Sequence, residues 1–189
     1  MTKYKTKALN WKTWPDFARL VDANNGVWGG CWCMWYHAKD EGTHDSADLK
    51  RKAKERLVRA GLAHASLVFD GADCVGWCQF GSPVELPRIH NSRVYLATDP
   101  VLPDWRITCF FSGKGYRGKG VADAALKGAV EQIGKLGGGH VEGYPEDTEG
   151  RKASPAFLFN GALSTFERLG FERSRLIGKH KWVVTRTIR

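Results

Sequence analysis

The chain has 189 residues, enough for one domain, and its 42% hydrophobic and 12% aromatic content excludes wholesale disorder. No stretch approaches the roughly 20 consecutive apolar residues of a membrane helix, and the first residues do not form an export signal. The cysteines number five, an odd count that does not suit a disulfide framework. We therefore expect reduced thiols in a cytoplasmic protein. The net charge of +9 favours an anionic partner: nucleic acid, a membrane surface or a phosphate-bearing cofactor.

The amino-terminal third predicts two helices separated by an unusual aromatic segment. Thr13 is the predicted N-cap of a helix from residue 14 to about 23, with Pro15 in its first turn. Residues 27–37, VWGGCWCMWYH, are predicted to be extended. An amphipathic pattern then predicts a helix that ends at Gly61. Its basic residues are Lys50, Arg51, Lys52, Lys54, Arg56 and Arg59. A solvated helix face is the simpler interpretation of this group, with nucleic-acid binding as the alternative.

The remainder predicts a sheet with helices on it. Residues 64–70 and 74–80 form an antiparallel hairpin, and residues 81–103, with four prolines, form an irregular excursion with one short turn or strand near residues 94–96. The later elements are a strand at 105–111, a helix at 121–136, a strand at 140–144, a helical stretch at 155–169 and a closing strand pair at 170–175 and 181–187. This order predicts a single α/β domain of the α+β kind, with a central, mixed but mostly antiparallel sheet flanked by helices.

A glycine-rich stretch between a predicted strand and a predicted helix carries the chemical information. Residues 112–122, SGKGYRGKGVA, combine four glycines with Lys114, Arg117 and Lys119. Backbone N–H groups can converge there beside the positive end of the helix, which indicates an anion-binding loop. The spacing fits neither a Walker loop nor a dinucleotide-binding fingerprint. A tight connection with exposed lysines is the alternative interpretation.

Taken in chain order, the motifs within about residues 65–189 resemble those of the GNAT superfamily of N-acetyltransferases. The resemblance rests on the strand at 105–111, the turn YRGKGVA at 116–122, the helix after it, the strand at 140–144 and the ending FERLGF at 166–171. It implies that acetyl-CoA is the co-substrate, with its pyrophosphate on the backbone of the turn and its thioester beside the strand end. The implied cofactor-binding residues are Phe110, Phe111, Ser112, Arg117, Gly118, Lys119, Gly120, Val121, Ala122 and Asn160.

The sequence departs from this family pattern at three positions. Gly115 stands where the family often has Gln or Arg, so one side-chain contact to the cofactor is absent. Phe166 stands where many members have the Tyr that protonates the leaving thiolate, and a phenyl ring has no proton to donate. Asn160 is one residue short of the family spacing for the Asn that holds the pantetheine arm. Backbone binding of phosphate is unaffected by these departures.

Acetyl transfer to an amine requires a base, because only the neutral amine attacks a thioester. Glu142 and Tyr144 are the candidate catalytic residues, two apart on one strand and therefore on one face beside the expected cofactor gap. His140 shares that face, and Cys109 lies on the preceding strand. The alternative for Glu142 is an ordinary strand carboxylate paired to a basic residue.

Two further groups have competing interpretations. Glu146, Asp147 and Glu149 would attract an amine acceptor, or they form a solvated polar loop. Cys31 and Cys33 with His37 do not complete a tetrahedral metal site, so we predict that no metal binds there. We favour packing of this segment in the core, and the alternative is that it forms a wall of an acceptor pocket. Within the single domain, we expect residues 1–64 to serve the acceptor and residues 65–189 to bind acetyl-CoA.

The sequence therefore predicts an enzyme, a GNAT-type N-acetyltransferase that moves acetyl from acetyl-CoA to an amine by direct attack in a ternary complex. The acceptor would be a small molecule or a peptide, and neither a membrane nor nucleic acid is an expected partner. The alternative is a non-catalytic module that binds coenzyme A, or a basic module that binds nucleic acid. The sequence leaves open whether the chain forms a homodimer.

Overall fold

The computed structural model describes residues 4–38, 46–150 and 153–189 of the chain. Its centre is a seven-stranded sheet in the order β1-β2-β3-β4-β5-β7-β6. The strands are β1 Lys5–Ala8, β2 His64–Asp70, β3 Asp73–Gly81, β4 Trp105–Ser112, β5 Gly139–Gly143, β6 Glu172–Leu176 and β7 Trp182–Ile188. The helices are α1 Trp14–Asp22, α2 Ala47–Arg59, α3 Ser92–Leu96, α4 Val121–Lys135 and α5 Leu163–Glu167, with a 3-10 helix at Pro155–Asn160. None of the described helices is long and apolar enough to cross a membrane.

The predicted fold class is confirmed. All neighbouring strands pair antiparallel except β4 and β5, which are parallel. Most predicted elements lie within one or two residues of their observed bounds. The sequence reasoning missed β1, a short and largely exposed edge strand of Lys, Thr, Lys and Ala that has no apolar alternation to reveal it.

Residues 27–37 are not extended, which corrects the predicted strand. They form a succession of turns in which Val27, Trp28, Trp32 and Cys33 all have φ between 49° and 58°. Branched and bulky side chains rarely adopt this left-handed conformation, so the segment is held by its tertiary contacts rather than by local preference. The apolar residues that suggested a strand pack against α1, where the Trp32 ring lies 5.9 Å from the Trp14 ring.

The other differences are small. The residues around 94–96, for which the sequence predicts a short turn or strand, form the five-residue helix α3. The predicted helical stretch at 155–169 is divided at Gly161, whose φ of 84° lies outside the helical region, so a 3-10 helix precedes α5. This break is important for the site because Gly161 and the residues next to it line a cavity.

Two cores cover the two faces of the sheet. On one face, α1, α2 and the turns at 27–38 bury a cluster centred on Phe17, Trp32, Leu67 and Trp77. On the other face, α4 and α5 bury a cluster that includes Ile107, Phe110, Leu126 and Phe166. The alternation of side chains along each strand assigns neighbouring residues to different cores.

The parallel strands β4 and β5 stay paired for only three residues, from Trp105 opposite Val141 to Ile107 opposite Gly143. Beyond this point β4 carries an irregularity against β3, and β5 is followed at once by Tyr144 and Pro145. Proline has no N–H for a sheet ladder, and an extra residue bends the strand that carries it. The two strands therefore separate.

The packing of α4 on the sheet generates a stability prediction. A Cβ added at Gly128 would lie 2.9 Å from Cβ of Thr6 and would also overlap Oγ of Ser66, whereas a Cβ at Gly134 of the same helix would meet nothing closer than 3.6 Å. We expect Gly128→Ala to lower the free energy of unfolding by about 1–3 kcal/mol through overpacking. The matched control Gly134→Ala should raise it by about 0.5–1 kcal/mol through helix propensity. Urea unfolding of both variants measures these changes, and equal effects would contradict the described packing.

Candidate functional site

The glycine-rich loop at 112–120 lies where the sequence predicts it, between the end of β4 and the start of α4. Gly115, Gly118 and Gly120 have φ of 82°, 70° and 81°, and a Cβ at any of the three would meet no atom within 4 Å. Gly120 is the N-cap of α4, so no side chain caps the N–H groups of the first helical turn. The loop is therefore open above its backbone and adjoins the positive end of a helix.

Three cations surround this open backbone. Lys114, Arg117 and Lys119 are exposed, and within the described ranges none of them forms an ion pair with a carboxylate. Asp123, in the first turn of α4, is already paired with Arg168 at 2.5 Å. The positive charge of the loop is thus available to an anion from solvent.

A cavity of about 300 Å³ extends from this loop towards the gap between β4 and β5. Six of the ten predicted cofactor-binding residues line it: Phe110, Phe111, Ser112, Arg117, Gly118 and Ala122. Lys119 and Gly120 are exposed in the adjoining loop, while the Val121 side chain is buried in the α4 core. The end of β4, the glycine-rich loop and the start of α4 therefore form one continuous wall of the cavity.

The opposite wall of the cavity comes from residues that the sequence reasoning did not single out. Leu158, Phe159, Gly161, Ala162 and Thr165 line it from the segment between the 3-10 helix and α5. The break at Gly161 could have indicated a turn, but nothing in the sequence placed this turn opposite the glycine loop. Trp28 also lines the cavity and is 52% exposed, so one member of the aromatic segment does face the site.

The side chain of Asn160 hydrogen-bonds to β4 at the point where β4 leaves β5. Its amide Nδ2 donates to the carbonyl oxygen of Thr108 and, at 2.6 Å, to the Tyr36 hydroxyl. Its Oδ1 accepts a hydrogen bond of 2.9 Å from Lys181 Nζ. Thr108 is the first β4 residue beyond the last pair with β5, so this amide replaces the missing strand partner. Asn160 is buried next to the cavity without being part of its lining.

Phe166 is fully buried in the core under the same gap. Its ring lies 5.7 Å from the Phe110 ring and packs directly on the backbone of Gly143, where a Cβ would overlap it. The ring supports Phe110, which lines the cavity, and it carries no group that could donate a proton.

Glu142 and Tyr144 lie together, as residues on one strand face should. The Glu142 carboxylate oxygen Oε2 accepts hydrogen bonds of 3.0 Å from the Tyr144 hydroxyl and 2.8 Å from the Tyr95 hydroxyl of α3. Arg175 lies 4.0 Å from the same carboxylate. Both candidate residues are 2% exposed and neither lines the cavity. Burial raises the pKa of the Tyr144 phenol well above its usual range, so this hydroxyl stays protonated and donates to the carboxylate.

The other candidate groups occupy different places. His140 is exposed, and Cys109 is buried on the α1 and α2 face. Of the acidic loop, Glu146 is buried and lies 3.7 Å from Lys181, and Asp147 lies 3.5 Å from Arg173. These two carboxylates are therefore engaged with cations of the protein.

An aromatic stack adjoins Phe159, which lines the cavity. The Trp35 ring stacks on the His90 ring at 3.8 Å, and His90 lies 4.8 Å from Phe159. Burial and the charges of Lys181 and Arg88 lower the pKa of His90 to about 4, so its ring is neutral at physiological pH. The sequence reasoning missed His90, because it lies within the proline-rich excursion.

Comparison with known proteins finds similarity in structure and none in sequence. No protein-family model matches the chain, and no curated protein matches its sequence. Solved structures do match over nearly the whole length. An acetyltransferase of the GNAT family from Desulfovibrio desulfuricans has a TM-score of 0.53 and 14% identity over 98% of this chain and 99% of that one.

Two further matches are similar in extent. An acetyltransferase from Salmonella typhimurium, solved with its cofactor acetyl-CoA, has a TM-score of 0.54 and 12% identity over 100% of this chain and 95% of that one. The ribosomal-protein-S18-alanine N-acetyltransferase from Escherichia coli has a TM-score of 0.51 and 9% identity, covering 98% and 94%. At these identities the comparison shows the fold, and the chain has the fold of the GNAT acetyltransferases, as its loop and ending predict.

The buried carboxylate generates a second prediction. Replacing Glu142 by Gln removes the negative charge that two tyrosine hydroxyls share, and a hydrogen bond to a charged group contributes about 1.5–3 kcal/mol. We expect Glu142→Gln to lower the free energy of unfolding by about 2 kcal/mol or more. Tyr95→Phe removes one of the two donors and should cost about half as much. Denaturant unfolding measures both changes, and an unchanged stability of Glu142→Gln would contradict the described network.

Proposed function

We propose that the protein is an acetyl-CoA-dependent N-acetyltransferase that transfers acetyl directly to an amine in a ternary complex. One observation supports this most: the open glycine loop, the start of α4 and the end of β4 line one cavity. In a chain with the GNAT fold, this is where a long ligand with phosphate at one end and a thioester at the other would lie.

The residues present fit the phosphate end of such a ligand. The first N–H groups of α4 lack a side-chain cap, and the loop glycines leave open space above them. Arg117, Gly118, Lys119, Gly120, Val121 and Ala122 would hold the pyrophosphate, mainly through their backbone. Lys114 and Arg117 also line a neighbouring cavity of about 380 Å³ and would add positive charge.

The apolar part of the cavity suits the pantetheine arm and the acetyl group. Phe110, Phe111 and Ser112 would line the thioester, with Thr165 and Ala162 opposite them. Acetyl-CoA, when bound, supplies an acyl carbon that an amine can attack. The contribution of the protein is to align the two reactants, to exclude water with its aromatic rings and to polarise the carbonyl with a backbone N–H of the strand end.

We place the acceptor on the side of residues 1–64, within the single domain that we propose. Trp28 lines the cavity from that side, and the half-buried Trp35 and His90 lie beyond Phe159. An amine of a small molecule or peptide would approach through this aromatic surface. With its pKa at about 4, the His90 ring is uncharged and would offer the acceptor an aromatic face.

The catalytic roles of Glu142 and Tyr144 remain a prediction. The burial of the carboxylate and its bonds to two hydroxyls favour an indirect role, in which Glu142 fixes Tyr95 and Tyr144 near the separating strands. Removal of a general base lowers turnover by about 10²–10⁴-fold. A Glu142→Gln variant that keeps turnover within about tenfold after correction for its folded fraction would exclude Glu142 as the general base.

The cofactor site is tested by calorimetric titration with acetyl-CoA and with free coenzyme A. We expect the unmodified protein to bind both and Gly120→Glu to bind neither, because a carboxylate would occupy the phosphate position on a backbone with φ of 81°. Arg117→Ala should bind about tenfold more weakly through loss of one charge-assisted contact.

Gly61→Glu is the matched control for this titration. Gly61 also has a positive φ, 71°, and open space around it, but it follows α2 at the other end of the sheet. This variant should bind like the unmodified protein. Absence of binding to the unmodified protein would refute the proposal. Binding without release of free coenzyme A across a panel of amines would support the alternative, a non-catalytic module, which the absent hydroxyl at Phe166 favours.

A further inference from the structure

A second cavity, of about 380 Å³, lies between the turns that follow α1 and the glycine-rich loop. The residues that line both this cavity and the first one, of about 300 Å³, are Trp28, Phe111, Ser112 and Arg117. The two cavities therefore adjoin. Phe111 and Ser112 are also residues that we place beside the thioester. A molecule in the second cavity would thus lie next to the bond that reacts.

The second cavity combines an apolar wall with positive charge. Val27, Trp28 and Phe111 form the apolar wall. Lys114 and Arg117 supply two cations, and the described residues that line this cavity include no carboxylate. Its volume is within the range of sites that bind small molecules. A small molecule with an apolar body and an anionic end would complement such a surface.

Lys114 is the cation that the cofactor would leave to the second cavity. Arg117 lines both cavities, and we place it at the pyrophosphate. Lys114 lines the second cavity but not the first, and it also lines a third cavity, of about 320 Å³, beside α1. Within the described ranges it forms no ion pair with a carboxylate. A single lysine is a compact point charge, which suits a monoanion such as a carboxylate.

The backbone fixes Trp28 at the boundary between the two cavities. Val27 and Trp28 have φ of 54° and 49°, a conformation that branched and bulky residues rarely adopt. The chain is closed below them, because a Cβ at Gly26 would lie 2.6 Å from Cα of Gly30. In addition, the N–H of Cys31 donates a hydrogen bond of 2.8 Å to the carbonyl of Val27. Strained backbone persists where its surroundings fix it, often at ligand sites, so the indole forms a fixed wall.

The charge of the second cavity also affects the reactivity of an amine. Among the described residues that line the two cavities there is no carboxylate and no histidine to act as a general base. A positive charge near an ammonium group lowers its pKa and so increases the neutral fraction that can attack a thioester. Lys114 would have this effect on an amine beside Ser112. A carboxylate on the same molecule would hold it in place despite the repulsion.

On the basis of the proposed acetyl transfer, we propose that the second cavity holds the acceptor, and that the acceptor is a small amine with a carboxylate and an apolar side chain, as in a free amino acid. The carboxylate pairs with Lys114, the apolar side chain packs on Trp28, and the amine lies beside Ser112. The neutral nitrogen attacks the acyl carbon, and the C–S bond breaks as the C–N bond forms. The proton lost by the nitrogen goes to the thiolate, so that one N-acetyl amino acid and one free coenzyme A result.

The test compares amino acids with their amides, which lack the negative charge. Alanine, leucine and phenylalanine, each with its amide, are assayed at neutral pH and saturating acetyl-CoA by the release of free coenzyme A. We expect kcat/KM to be about tenfold higher, or more, for phenylalanine than for its amide. Amine basicity cannot cause this preference, because the carboxylate raises the pKa of the ammonium and leaves less neutral amine.

Two variants test the residues that make these contacts. In Lys114→Gln, the preference for phenylalanine over its amide should fall about tenfold, because one charge-assisted contact is lost. Trp28→Ala should lower kcat/KM about tenfold for phenylalanine and less for alanine, whose side chain is small. The matched control Lys127→Gln removes the same charge from an exposed position of α4 that lines neither cavity. It should keep the preference of the unmodified protein.

Binding of the products gives a second measurement that does not require turnover. N-acetylphenylalanine and its amide are titrated calorimetrically into the protein saturated with coenzyme A. We expect the acid to bind about tenfold more tightly than the amide, and the two to bind equally to Lys114→Gln.

The outcomes separate this assignment from the proposed acetyl transfer. In a protein that binds acetyl-CoA, equal use of acids and amides, a preference that survives in Lys114→Gln, or absence of both turnover and product binding for all three pairs would overturn the acceptor assignment alone. Failure of the unmodified protein to bind acetyl-CoA would overturn both.

Discussion

The separation of β4 from β5 is the constraint on which the candidate site depends. The irregularity of β4 near Thr108 and the missing N–H of Pro145 end the pairing after three residues. The freed carbonyl of Thr108 then needs a donor, which Asn160 supplies from a 3-10 helix far along the chain. Because this amide fixes the 3-10 helix at the gap, the residues after it stand opposite the glycine loop and complete the cavity.

The two faces of the sheet serve different purposes around this gap. On the α4 face, apolar packing of Phe166 on Gly143 and Phe110 supports the cavity wall without any polar group. On the opposite face, the Glu142 carboxylate accepts hydrogen bonds from Tyr95 and Tyr144, and the buried Lys54 side chain donates to His37 and Gln79. Buried polar and charged groups of this kind are costly unless partners satisfy them, and these hydrogen bonds supply the partners.

The residues that we place on the cofactor side come from one segment of the chain, and those that we place on the acceptor side come from several. The anion-binding loop is one continuous segment, and its glycines, cations and helix start follow each other in sequence. Trp28, Trp35, His90 and Phe159, which we place on the acceptor side, come from separate segments that only the fold brings together. The residue spacing within a single segment can predict a binding loop, whereas a surface assembled from separate segments leaves no such spacing in the sequence.

By itself, the sequence determined most of the strands and helices and the glycine loop, because these depend on periodicity and turn chemistry within short segments. It missed the exposed edge strand β1. It did not determine that residues 27–37 form turns, since left-handed Val27 and Trp28 contradict local preference and are held by distant contacts. Nor did it show that Glu142 is buried between two hydroxyls or that Lys54 points inward. Tertiary structure decided these, because the partners of a buried charge lie on elements far apart in the chain.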